Sequence, residues 1–268
     1  MSKKFIPLKS ISLFIVATVF ISSCAENQKI KMSWDTSQVH EYSFTQIASG
    51  ESKMAPLEPS NKSQVEGLGE LTLSPLENGN MNVSLENFAM SMLVYDPETG
   101  EINDTLKNTA PPMILQDVTE KGDIALGSPD LVFDLILKMP QGELVEGQMI
   151  NSPLSSEFNA GFAQYVAEGS MDLSVLKIET QDGQQIAQLE GAILIEYMPS
   201  KDSIQADFKL KREGVAHYIY NVDKQYYESV EITTDYEVFL HKPTDAGWDN
   251  ALFFDTKSTI YVKIEKRN

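Results

Sequence analysis

The amino-acid sequence predicts a mainly β protein: a large curved antiparallel sheet or half-barrel with one short amphipathic helix, residues 129–139, packed on it. Three observations lead there. Apolar residues recur at every second position through most of the chain, the period of a strand with one buried face. Asn78-Gly79 and Asp182-Gly183 separate such runs, and these dipeptides tolerate the positive φ of tight hairpin turns. Met81 to Tyr95 and Tyr165 to Thr180 are each about fifteen residues long, well past the ordinary five or six. Long antiparallel strands twist and coil, so the sheet should curve or partly close.

In chain order, the first element is not structural. Lys3, Lys4 and Lys9 precede an apolar stretch from Ile11 to Ile21, and Ser22-Ser23 then lead into Cys24, the only cysteine. About eleven apolar residues cannot span a bilayer, which takes roughly 20 in a helix. A charged start, a short apolar core and small residues before a cut describe an export signal. The position of Cys24 resembles the lipobox of bacterial lipoproteins, whose cysteine is diacylated and becomes the mature N-terminus. That resemblance implies a signal peptide over 1–23, a lipidated tether over 24–33 and a single β-rich domain over 34–268. It also implies a membrane partner through the lipid anchor. With Ala25 rather than Asp after the cysteine, the expected location is the outer membrane of the cell envelope.

The domain then unfolds as strands. Val39, Tyr42 and Phe44 open one, and the Pro-, Ser- and Lys-rich stretch from Ser49 to Ser63 reads as a loop. Val65, Leu71 and Leu73 belong to the next strand, and Met81, Val83 and Leu85 to its return partner across Asn78-Gly79. Ser128-Pro129-Asp130 offers a helix cap, a proline at the first helical position and an acid in the first turn. Leu131, Val132, Leu135, Ile136 and Met139 follow at helical spacing, and Pro140 with Gly142 closes the segment. Further pairs run from Tyr165 to Tyr197 and from Val215 to Leu240, and Ser258 to Ile264 is the last strand. Glu66-Gly67, Glu168-Gly169 and Glu213-Gly214 are expected at strand starts or bulges.

Composition excludes several functions. Removal of residues 1–23 takes away three lysines and no acids, leaving 245 residues with 39 acids against 18 bases, a net charge of −21. Such a surface repels phosphate backbones, so nucleic acid is not an expected partner. With Cys24 acylated no thiol remains, so disulfides, thiolate nucleophiles and zinc–cysteine sites are excluded. There is no Gly-x-Ser-x-Gly elbow, and no Ser-x-x-Lys arrangement in a peptidase context. Gly67-Leu68-Gly69 lacks the third glycine of a dinucleotide loop. His40, His217 and His241 do not share metal-ligand spacing. Asp245, Asp249 and Asp255 around Gly247-Trp248 miss the EF-hand pattern. No cofactor or metal is therefore expected.

Two groups of residues remain as binding candidates. Leu131, Leu135, Leu173 and Ile193 could line an apolar cavity between helix and sheet. Tyr218, Tyr220, Tyr226 and Tyr227 concentrate amphipathic aromatics near one turn, a composition suited to a partner surface. The stretch Met139-Pro140-Gln141-Gly142-Glu143-Leu144-Val145-Glu146-Gly147, with the anchored cysteine, the Tyr42-Ser43-Phe44 strand and the Glu-Gly strands, resembles a family of uncharacterised exported bacterial lipoproteins. Ile150 stands where that family carries an aromatic, and the family has no established catalytic residues to transfer. At the level of architecture, a curved sheet with a helical lid is similar to periplasmic lipoprotein carriers and lipovitellin-like lipid binders. The reading is a lipid-anchored lipoprotein that binds an apolar ligand or an envelope partner without catalysis. The alternative is a hydrolase of cell-envelope material that acts through a carboxylate pair.

Overall fold

The computed structural model describes residues 28–55, 57–96, 98–125, 131–159, 164–199, 207–242 and 252–267. Cys24, the helix cap Ser128-Pro129-Asp130 and the loop carrying Asp245, Gly247, Trp248 and Asp249 lie outside these residues. Thirteen strands and one helix are present among the described residues. The strands are β1 Lys29–Lys31, β2 His40–Ala55, β3 Leu57–Pro75, β4 Met81–Tyr95, β5 Ile102–Thr109 and β6 Met113–Val118. After helix α1, Leu131–Leu137, come β7 Glu143–Val145, β8 Met149–Asn159, β9 Gln164–Gln181 and β10 Gln184–Pro199. The chain finishes with β11 Asp207–Asn221, β12 Tyr226–Lys242 and β13 Leu252–Lys266.

Eleven strands make one antiparallel sheet in the order β5-β4-β3-β2-β13-β12-β11-β10-β9-β8, with β6 also paired to β4, and the sheet does not close into a barrel. Most neighbours are hairpin partners. The exception joins the two ends of the domain, since β13 pairs with β2 from Phe253↔Ala55 to Lys266↔Tyr42. The Asp182-Gly183 turn holds both residues at positive φ, 49° and 80°, as a two-residue hairpin requires. Gly79 sits at φ 86° in the turn between β3 and β4.

The alternation in the sequence becomes two unlike faces. On the inner face, Met81, Val83, Leu85, Leu173, Val175, Tyr218, Tyr220, Val230 and Ile232 are buried. The outer face carries cross-strand ion pairs such as Lys257–Glu237 at 3.0 Å and Lys263–Glu231 at 3.3 Å, which solvent screens. Curvature follows from simple dimensions. Ten strands at about 4.8 Å spacing would span roughly 43 Å if flat. Their inner side chains nevertheless share one cluster with a seven-residue helix, an element about 10 Å across. Only a sheet wrapped around the helix can bury both.

The helix is shorter in its described part than the 129–139 expected from sequence, because the chain after Leu137 leaves helical geometry to meet another segment. The Met139 amide donates to Lys121 O at 2.8 Å, and the Trp34 indole donates to the free carbonyl of Leu137, also at 2.8 Å. Gly122, at φ 77°, passes so close beneath this end that a Cβ would lie 2.0 Å from the Leu137 oxygen.

Three expectations are revised. The stretch from Ser49 to Ser63 is not a loop: the β2–β3 ladder continues through Gly50↔Ser63 and Ser52↔Asn61. Both strands lie inside the sheet, where neighbours satisfy the backbone and override an unfavourable local composition. Second, the fold takes up the chain before Trp34. Lys29–Lys31 pairs with β7, and Ile30 and Met32 are buried, so these two apolar residues belong to the core rather than to the tether. Third, the glycines of the Glu-Gly pairs sit within long strands rather than at their starts. At Gly214 an added Cβ would approach Thr233 O to 2.1 Å, so the glycine permits close backbone contact there.

Candidate functional site

The inner face has two zones. In the lower zone, toward the Asp182-Gly183 turn, it is a solid aromatic and aliphatic core. Trp34 packs edge-on to Tyr42 and Tyr227, with ring centres 6.3 Å and 5.3 Å away. Tyr218 and Tyr220 each lie within 5.6 Å of Tyr227 by ring centre. The Tyr218 hydroxyl donates to Leu135 O at 3.0 Å, and that of Tyr220 donates to Ser33 O at 2.7 Å. Burial raises the pKa of Tyr218, Tyr220 and Tyr227, with Tyr220 pushed up to about 12.

This geometry places most of the tyrosine group away from any partner. Tyr218, Tyr220 and Tyr227 are buried and bind the sheet to the helix and to the segment before β2. Tyr226 alone is half-buried, with the ammonium groups of Lys224 and Lys266 over its ring at 5.9 Å and 5.5 Å. Leu131, Leu135, Leu173 and Ile193 do come together, but as buried members of the same packed cluster. What the sequence could not show is that all these side chains serve one core.

His40 belongs to this zone too. It is buried between Trp34 and Tyr226, and a ring nitrogen lies 2.8 Å from Asp35 O. Burial lowers its pKa, Lys266 adds to the effect, and the bond to Asp35 opposes it. A folded pKa below the unfolded value of about 6.5 means that the unfolded chain takes up the proton first. The stability due to neutral His40 is therefore present above about pH 6.5 and is lost as pH falls through the folded value. The urea midpoint should be lower at pH 5 than at pH 7.5, and His40→Gln should reduce that difference. An equal drop in the variant would show that other groups cause it.

In the upper zone the strands run on past the helix. Pairing register defines a straight row across the inner face: Thr234 on β12, Ile260 on β13, Ala48 on β2, Val65 on β3, Met92 on β4 and Leu106 on β5. Thr234 is buried, the next four are half-buried, and Leu106 is 52% exposed. Six strands at about 4.8 Å spacing make this row roughly 24 Å long. It is apolar beyond Thr234, and its burial falls away steadily from the centre of the sheet to the edge.

At the inner end of the row stands Arg212 on β11, facing Ile195 and Tyr236 across the ladders. The residue is only 4% exposed, and its Nε donates to Thr234 Oγ1 at 2.9 Å. Nη2 is buried with no hydrogen-bond partner. Nearby on the same face, Thr256 Oγ1 is likewise buried and unpartnered. Nothing in the local sequence announces this site. Lys-Leu-Lys-Arg-Glu-Gly reads as a solvated charged stretch, and only the strand period, which sends 210, 212 and 214 inward, turns Arg212 toward the interior.

Other chemistry is not assembled among the described residues. No group of His, Cys, Asp and Glu there could hold a metal. His217 is on the outer face, 3.6 Å from Glu190, far from His40 in the fold, and the side chain of His241 lies outside the described set. The buried polar and charged side chains among the described residues are His40, Ser152, Arg212, Asn221 and Thr234. The set contains no carboxylate, so the acid pair needed by the hydrolase alternative is not among them. A depression on the outer face holds the Lys211–Glu213 and Lys257–Glu237 pairs together with Asp235, which accepts a hydrogen bond from Thr259. No protein-family model matches the chain, and no curated protein matches it.

Proposed function

We propose that this chain is a lipid-anchored lipoprotein of the cell envelope, moored at the outer membrane through Cys24, and that its β domain is a non-enzymatic binding module for an apolar ligand held on the inner face of the sheet. The observation that carries the binding reading is the half-buried apolar row from Ile260 to Leu106, which continues beyond the packed core. Side chains that leave the core with their apolar surface partly wet gain free energy when a ligand covers them, about 25 cal/mol per Å². The row is narrow and long, which suits an extended aliphatic chain better than a globular partner. Anchoring rests on the signal-like stretch and Cys24, since several acyl chains fix a protein to a bilayer in effect permanently.

The test is native mass spectrometry of the full chain purified from its own host. The expected result is a noncovalently retained apolar ligand, in addition to the acyl mass on Cys24. Val65→Glu sets a charge in the middle of the row at a half-exposed position, and should reduce retained ligand at least tenfold with little change in melting temperature. An apo mass for the wild type, or undiminished ligand in the variant, would overturn the binding reading. Failure of labelled palmitate to enter the wild-type chain, or its equal entry into Cys24→Ser, would overturn the anchoring.

A further inference from the structure

We infer that Arg212 pairs with the head group of that ligand, and that the ligand is a long-chain carboxylate, a free fatty acid. The inference rests on the apolar-ligand reading above and adds the chemistry of the ligand's polar end. A guanidinium stays protonated at any pH a protein survives, so Arg212 cannot escape burial by losing its charge. A buried charge left without a counter-ion costs several kcal/mol, and folded proteins pair such groups or bring them a ligand. Among the described residues the hydrogen bond of Arg212 goes to Thr234, and no carboxylate forms an ion pair with it. The described inner-face positions of β9, β10, β12 and β13 carry Ala, Gly, Val, Leu, Ile, Met, Ser, Thr, Tyr and one cation, Lys266, with no acid among them, and the acid on the packed helix is Asp134. The acids of these strands, such as Glu213, Asp235 and Glu237, point to the outer face.

The guanidinium is nevertheless held in place. Thr234 fixes Nε, so the side chain cannot swing out to water without breaking a buried hydrogen bond, while Nη2 stays open as a donor. Thr234 is also the first residue of the apolar row. The donor and the row thus share an origin, one offering a charge and the other a path for an aliphatic tail. Charge balance selects the head group. One guanidinium neutralises one carboxylate, whereas a phosphate monoester brings about −1.5 to −2 and would leave charge uncompensated in the interior.

The test uses the full chain purified from its own host, offered palmitate, hexadecanol and hexadecyl phosphate in turn and read by native mass spectrometry. Palmitate should be taken up about tenfold or more over hexadecanol, the expected effect of a hydrogen bond to a charged group. Arg212→Met should bring palmitate down to the level of hexadecanol, and Arg212→Lys should keep part of the preference. Equal uptake of acid and alcohol by the wild type, or an unchanged preference in Arg212→Met, overturns the assignment of Arg212 but leaves the apolar site standing. A preference for hexadecyl phosphate overturns the carboxylate. Uptake of none of the three overturns the site itself and this inference with it. The wild-type preference decides the matter even if Arg212→Met fails to fold.

Discussion

Above pH 10 the domain is expected to unfold steeply, since each of four buried tyrosines costs up to about 1.4 kcal/mol per pH unit while it ionises only in the unfolded chain. Tyr42, Tyr218, Tyr220 and Tyr227 are all buried, and burial raises the pKa of each. The sign follows from proton counting. In the unfolded chain these phenols ionise near pH 10, while in the folded chain burial holds all four protonated to higher pH, Tyr220 to about 12. The folded state then binds more protons, so its stability is complete below pH 10 and is lost as pH rises toward the folded values. With all four ionised only when unfolded, the slope approaches about 5 kcal/mol per pH unit. Domains of this kind have about 5–15 kcal/mol in total. Tyrosinate absorbance at 295 nm and loss of near-ultraviolet circular dichroism should therefore rise together in one cooperative step. Tyr227→Phe should reduce the slope by about a quarter. Ionisation of all ten tyrosines in a gradual rise with the fold intact would refute the burial on which this rests.

Trp34→Ala should be the most damaging single substitution outside the strands, at about 3–5 kcal/mol. The indole is buried against Tyr42, Tyr227 and His40, and it also caps the helix by its bond to Leu137 O. Removing it empties the space between the helix end and the sheet and leaves a buried carbonyl without its donor. Trp34→Phe separates the two contributions, since it keeps most of the ring and loses only the N–H, for about 1–3 kcal/mol. Urea unfolding of both variants measures the difference. If Trp34→Ala shifted stability by less than about 1 kcal/mol, residues 28–39 would not be part of the cooperative unit. That outcome would return the start of the domain to the tether.

Much of the architecture was legible in the chain because hairpins are local. Asn78-Gly79 and Asp182-Gly183 fix their turns by backbone preference, and β4 begins and ends at Met81 and Tyr95, where the alternation does. Elements held by distant partners were not legible. The Ser49–Ser63 segment looks like a loop by composition, and it is extended because β13 pairs along β2 as far as Ala55 while β3 pairs back on β2. Lys29–Lys31 is a strand only because β7 lies beside it. The tyrosines near Asp223 read equally well as surface or core, and the arrival of Trp34 and α1 on their face decided for core.

The site divides in the same way. The chain by itself determined a β class, the hairpin turns, the inward-facing alternation and a strongly acidic net charge, since each depends on neighbours in sequence or on totals. Tertiary structure alone decided that Thr234, Ile260, Ala48, Val65, Met92 and Leu106 form one line, because their spacing along the chain carries no hint of a register set by five ladders. It also decided that Arg212, within a run of exposed charges, is the one that faces inward. Arg212 is flanked by its own hairpin neighbours β10 and β12, but the apolar row that leads away from it exists only because β13 pairs with β2 and so joins the two ends of the domain.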